Sequence, residues 1–158
     1  MPTNSAKQII QTIKIIHLAL IFGQLIFASI AHYLVKSNFV FFGGFEDPFI
    51  FIVPSLFLFS ISGGKSVYKK LIEPSFNEES LIKKLSILRT AIIVRYAITE
   101  AAVIMSIVAY IASMNFLYII LAALMIGFFV SLKPKKDKIE IDLKIDYRMK
   151  AEFEAAMS

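Results

Sequence analysis

The sequence predicts an all-α fold, a four-helix transmembrane bundle with the N-terminus and C-terminus cytoplasmic, and three observations predict it. Apolar residues make up 58% of the 158-residue chain. They fall in blocks long enough for the roughly 20 helical residues that cross a hydrocarbon layer about 30 Å thick. Basic residues collect in three of the five segments outside those blocks, alternating with two that carry no basic excess, as cytoplasmic and outer segments do. Finally, the last two blocks are separated only by Ser113-Met114-Asn115. A turn that short makes the helices it joins antiparallel neighbours.

The first span is expected over about residues 9–35, with Lys7 and Lys14 at its inner boundary. Its apolar run continues past signal-peptide length without an early small-x-small cleavage site, so it reads as a retained helix. The outer loop that follows, 37-SNFVFFGGFEDP-48, is rich in phenylalanine. Such rings either lie at the headgroups or form a docking surface for a partner. The second span begins at Asp47-Pro48, where Asp can cap and Pro suits the first helical position, and runs to about residue 68. Pro54 is expected to bend or loosen its early part, with Ser62-Gly63-Gly64 as a second soft point.

The third helix is expected over 80–112, with a cytoplasmic extension that enters lipid near Ala91. The fourth spans 115–132 and stops at Lys133-Pro134. Residues 1–133 thus form the transmembrane domain and 134–158 a basic juxtamembrane segment and tail. Orientation follows from the basic segments: Lys7 and Lys14; Lys65, Lys69, Lys70, Lys83, Lys84 and Arg89; then Lys133, Lys135, Lys136 and Lys138. The 36–47 loop sets Lys36 against Glu46 and Asp47. This pattern predicts a multi-pass protein of a bacterial inner membrane.

Composition also excludes chemistry. With no cysteine, the chain has no disulfide, no thiolate metal site and no covalent haem attachment. The net charge of +5 is read as membrane-side charge and not as a nucleic-acid footprint. The run 59-FSISGGKS-66 ends like a phosphate-binding loop, but Phe59 stands at the first glycine position and no strand precedes it. His17 and His32 lie about 22 Å apart along one helix, so one haem could not use both within a chain. No nucleophile motif and no zinc-protease motif appears. The expectation is a non-enzymatic protein with no metal and no cofactor.

The residues that need an account are polar ones inside the spans, where ionisable groups are costly. Counted from Ala91, Arg95 lies about 6 Å deep and Glu100 about 13 Å, near the midplane. Arg95 can snorkel back to the headgroups. Glu100 is too short for that, so it must be protonated, paired or hydrated. Tyr96 stacks one turn below it. A stripe of Arg95, Thr99, Ala102, Ser106, Ala109 and Ser113 is small and polar, which suits close helix approach. On the first helix His17 and Gln24 share a face, and Gln24, counted from Lys14, lies about 15 Å deep. Spans one and three are therefore expected to pack together, with Gln24 facing Glu100 and His17 near Arg95. Glu100, Gln24, Tyr96, His17 and Arg95 form the candidate site, read as a helix-pairing cluster, as an ion or proton site, or as a lipid or small-ligand pocket. Lys133, Lys135, Lys136 and Lys138 are the expected contacts to anionic lipid headgroups.

In the tail, Ile139, Ile141, Leu143, Ile145 and Tyr147 alternate with charged residues, a strand pattern with no second strand to pair with. The segment is expected either to lie at the membrane surface, irregular or helical, or to add to a partner's sheet or its own copy.

Within 97-AITEAAVIMSIVA-109, Glu100 followed by Ala101, Ile104, Ser106 and Val108 resembles the carboxylate helix of rotary ATPase proteolipid (c-ring) subunits. That resemblance implies a proton or cation bound at Glu100. The family packs its other helix through alternate glycines, which 49-FIFIVPSLFLFSI-61 lacks. The whole chain resembles small four-helix bacterial integral membrane proteins of unassigned function. The expected function is an accessory or structural membrane subunit whose polar midplane cluster around Glu100 holds helices or a partner. The alternative is proton or cation translocation through Glu100 in a homo-oligomer or larger complex.

Overall fold

The computed structural model describes residues 2–35 and 39–157. Helices make up most of it: α1 (Pro2–Val35), α2 (Phe49–Ile72), α3 (Leu81–Ser113), α4 (Phe116–Ser131), α5 (Lys136–Asp142) and α6 (Tyr147–Met157). A 3-10 turn, Glu73–Asn77, joins α2 to α3. By length and composition α1, α2 and α3 can each cross a membrane, and α4 makes a fourth if α4 and α5, bent by 76° at a short break, count as one span. The break holds Pro134, which has no N–H to continue a helix ladder.

The helices outlast the apolar blocks that predict them. α2 runs one turn past residue 68, with Lys69 and Lys70 in its last turn, where cations favour the negative end of the helix dipole. Pro54 and Ser62-Gly63-Gly64 are absorbed into one continuous helix. The turn between α3 and α4 is as short as its sequence requires. Met114 adopts a left-handed conformation (φ 54°), and the Asn115 side chain caps α4 by accepting from the Leu117 N–H at 3.1 Å. Asn115 is fully buried and its amide also donates to Asp47. Val40 adds two backbone hydrogen bonds across Met114 and Phe116, tying the aromatic loop to the α3–α4 turn. Phe41 stacks on Phe116 and Phe39 lies tilted against it, while Phe41 and Phe45 stay mostly exposed.

The packing is a hub. α1, α2 and α4 each pack against α3, and α4 also touches α1 and α2. α1 buries Ala6, Ile10, Ile13, His17, Gln24 and Ala31, a three-and-four spacing that makes one stripe. α2 buries Val53, Ser60, Gly64, Tyr68 and Ile72. On α3 the predicted small stripe is inside, with Thr99, Ala102, Ser106 and Ala109 all buried. The hydroxyls of Thr99, Ser106 and Ser113 each bond back to a carbonyl one turn earlier, so they need no partner from another helix.

Gly64 shows how close α2 comes to α3. A Cβ placed there would stand 3.7 Å from Ile98 Cγ2 and 3.8 Å from Arg95 Cγ. One methyl fits and a branched side chain does not. Gly64→Ala is therefore expected to keep stability within about 1 kcal/mol, whereas Gly64→Leu loses about 1–3 kcal/mol through overpacking. Unfolding of both variants by denaturing detergent would show whether the interface is this tight.

The tail corrects the strand pattern. Residues 136–142 and 147–157 are helical, and no strand occurs among the described residues. Ile139 and Leu143, four apart, are buried, while Ile141 is 75% and Tyr147 92% exposed. Period four wins over period two because Ile139 and Leu143 can enter an existing apolar cluster. That cluster joins the start of α1, the end of α2, the start of α3, Phe129 of α4, and Phe153 and Ala156 of α6. Lys84, buried, donates to the Leu143 carbonyl at 3.1 Å, a cation at the C-terminal end of α5.

Candidate functional site

The contacts between helices put their levels in register. His17 of α1 lies against Tyr96 of α3 at 5.1 Å between ring centroids and stacks on Phe129 of α4, also at 5.1 Å. The Tyr96 hydroxyl donates to the carbonyl of Leu132 at 3.3 Å. Gly64 of α2 sits against Arg95. Lys14, Lys65, Arg95 and Lys133 thus fall within about a turn of one level. From Arg95 to Ser113, α3 rises about 27 Å, close to the thickness of a hydrocarbon layer.

That level moves Glu100. It lies about 7 Å beyond Arg95, between the basic level and the middle of that rise. The sequence count started from Ala91, but Leu85, Leu88, Ala91 and Ile92 are buried in the cluster shared with the tail and the start of α1. They face protein, so their apolar character does not by itself mark where lipid begins.

The five candidate residues do not form one cluster. His17 sits beside Tyr96 and not beside Arg95. Arg95 turns to α2, with its guanidinium carbon 5.4 Å from the centre of the Tyr68 ring. Five positions along a helix separate Arg95 from Glu100 by about 140°, which explains the divergence. At the far end the His32 ring lies 3.1 Å from the Tyr110 hydroxyl. Together with His17 on Tyr96, this parallel register places Gln24 level with Val103, about one turn beyond Glu100. Gln24 is buried, and among the described residues neither its amide nitrogen nor its oxygen has a hydrogen-bond partner. Tyr96 does not donate to Glu100, because Leu132 takes its hydroxyl.

Glu100 stands apart. It is half-buried, at the edge of the buried face of α3, with Ala97, Ala101 and Ile104 exposed beside it. Among the described residues no hydrogen bond or ion pair reaches its carboxyl group. No group of three or more metal-ligating side chains occurs among the described residues.

Sequence reasoning missed a second polar site at the basic end. Tyr68 donates to Asp142 of α5 at 2.6 Å, and Arg95, Lys138 and Asp142 line the same space. The signal was present in the four-residue step from Ile139 to Leu143, which turns Lys138 and Asp142 to one side of a helix. Lys133 and Lys135 line this space too, whereas Lys136 pairs with Glu154 at 3.5 Å. Against protein-family models, curated proteins and solved structures alike, the chain finds no match.

Proposed function

We propose that the protein is a non-enzymatic accessory or structural subunit of a membrane, in which the interior polar residues fasten its own helices and Glu100 receives a partner. His17 and Tyr96 join α1, α3 and α4, and Arg95 joins α3 to α2. The observation that carries the reading is the Glu100 carboxyl group: it lies in an apolar stretch, at an open helix edge, with no polar partner among the described residues. Leaving such a group unsatisfied in lipid is costly. A polar group on a neighbouring span, from a second copy or another membrane protein, removes that cost. The basic end of the bundle faces the cytoplasm of a bacterial cell, since that end carries Lys65, Lys69, Lys70, Lys133, Lys135 and Lys138.

The same open edge gives the second reading, a carboxyl group that takes up a proton or cation from a neighbouring subunit. The two part on substitution. Interhelical hydrogen bonds contribute about 0.6–2 kcal/mol, so Glu100→Ala should weaken association about 3- to 30-fold, while Glu100→Gln keeps it near wild type. Because the chain has no cysteine, Ala101→Cys, on the exposed face beside Glu100, reports association in native membranes by crosslinking in each background. Unchanged crosslinking in Glu100→Ala would sink the subunit reading. Labelling of Glu100 by a hydrophobic carbodiimide that falls as pH rises through neutrality, with activity lost in Glu100→Gln, would instead establish the titrating site.

A further inference from the structure

The basic end holds a cleft of about 370 Å³ between α2, α3, the end of α4 and α5. Four cations line it: Lys65 and Lys69 from α2, Arg95 from α3 and Lys138 from α5. One carboxylate, Asp142, faces them, and it already accepts from the Tyr68 hydroxyl at 2.6 Å. None of the four cations makes an ion pair among the described residues, although three exposed pairs form elsewhere on the chain. The Arg95 Nε atom is buried and has no hydrogen-bond partner. Burial, followed by the charges of Arg95, Lys65 and Lys135 against that of Asp142, pushes the Lys138 ammonium below its ordinary range. The cleft therefore holds more positive charge than its protein surroundings neutralise.

Its other wall is apolar. Ile61 and Phe128 line the same cleft from inside the apolar segments of α2 and α4, and Lys65 and Arg95 stand at the level where those segments end. An occupant that satisfies both walls is an oxyanion joined to a hydrocarbon chain. Basic pockets between membrane helices at this level suit anionic lipid headgroups, and the guanidinium plane suits phosphate oxygens.

We propose that this cleft binds the phosphate headgroup of an anionic phospholipid, with Lys65, Lys69, Arg95 and Lys138 on the phosphate and Ile61 and Phe128 along the first part of an acyl chain. Arg95 is then a lipid ligand as well as a helix contact. The site is independent of the role given to Glu100.

The test is native mass spectrometry of the full chain released from vesicles of equal phosphatidylglycerol and phosphatidylcholine. Preferential retention of one phosphatidylglycerol is expected. Lys65 and Lys69 are exposed, so the Lys65→Gln/Lys69→Gln variant should fold. It should lose that preference by about fivefold for each lysine removed. Arg148→Gln/Lys150→Gln removes the same charge from the exposed tail and should leave the preference intact. Equal retention of both lipids by the wild-type chain overturns the proposal, and so does equal loss in the two double variants. Inorganic phosphate is the remaining arm. If it binds the delipidated chain in competition with phosphatidylglycerol and with comparable affinity, the apolar wall plays no part and the cleft is not a lipid site.

Discussion

Phe129→Ala is expected to lower stability by about 2–4 kcal/mol, which sets α4 loose from the two helices it joins. Phe129 is fully buried. Its ring stacks on His17 at 5.1 Å with 9° between planes, and it packs on Tyr96 at 5.0 Å and 46°. Removing a phenylalanine from a water-surrounded core costs about 3–5 kcal/mol. Here part of that figure falls away, since α4 is apolar along its length and released apolar helices find apolar surroundings in a bilayer. What remains is the cavity and the lost ring contacts. Among the described residues His17 then keeps Tyr96 alone as a ring neighbour, with its Nδ1 unpartnered already, and the Tyr96 bond to the Leu132 carbonyl at 3.3 Å loosens with it. Phe129→Leu, which retains most of the volume, should cost about half as much. Detergent-driven unfolding in mixed micelles measures both. A loss below about 0.5 kcal/mol for Phe129→Ala would mean that this triad does not hold α4.

This triad also shows how far the sequence could be read. His17 was legible as an interior residue because Gln24 follows it seven positions later on one stripe. Its contact with α3 was legible because Arg95 and Tyr96 lie at similar depth. Which of the two it meets depends on rotation of α3 about its axis, and the sequence carries that rotation only weakly. The buried arc of α3 is wide, from Arg95 and Ala102 on the α2 side to Ile107 on the other, since three helices pack round it. A helix covered on so many sides has little amphipathic signal to show which face meets which neighbour. The same ambiguity put Gln24 opposite Glu100, whereas the register leaves Gln24 level with Val103.

Depth carries a different ambiguity. Hydropathy cannot tell a residue facing lipid from one facing protein. Leu85, Leu88 and Ala91 read as the approach to a membrane, and they are the floor on which the tail is laid. Counted from the level of Lys14, Lys65, Arg95 and Lys133, the apolar rise of α3 is about 27 Å, and Glu100 stands about 7 Å into it, closer to the middle than to the end. Helix ends, by contrast, were legible to within a few residues wherever a cap or a proline marks them, as at Pro48, Asn115 and Pro134.

The tail yields the second large effect. Phe153→Ala is expected to detach α6 while leaving the spans folded. Phe153 is fully buried, and Ala156 beside it is 3% exposed. Both belong to the cluster formed with Ala6, Ile10 and Ile13 of α1. This end of the molecule lies beyond the apolar spans, so the full cost of about 3–5 kcal/mol for truncating a buried phenylalanine applies. α6 has 11 residues, too few to be stable as an isolated helix in water, so docking is what keeps it helical. Once docking weakens by that amount, the cheaper response is local release of α6 and not unfolding of the bundle. Two surface ion pairs also tie the tail, Lys136–Glu154 at 3.5 Å and Lys150–Glu140 at 3.0 Å. Each is worth about 1 kcal/mol or less. Amide hydrogen exchange in lipid nanodiscs should therefore show protection lost over residues 147–157 and retained in α2 and α3. Tyr147, at 92% exposure, supplies the control, since Tyr147→Ala should change neither. Protection lost throughout the chain in Phe153→Ala would make the tail part of the folding core. Protection kept in 147–157 would mean that α6 is held by something other than the apolar cluster.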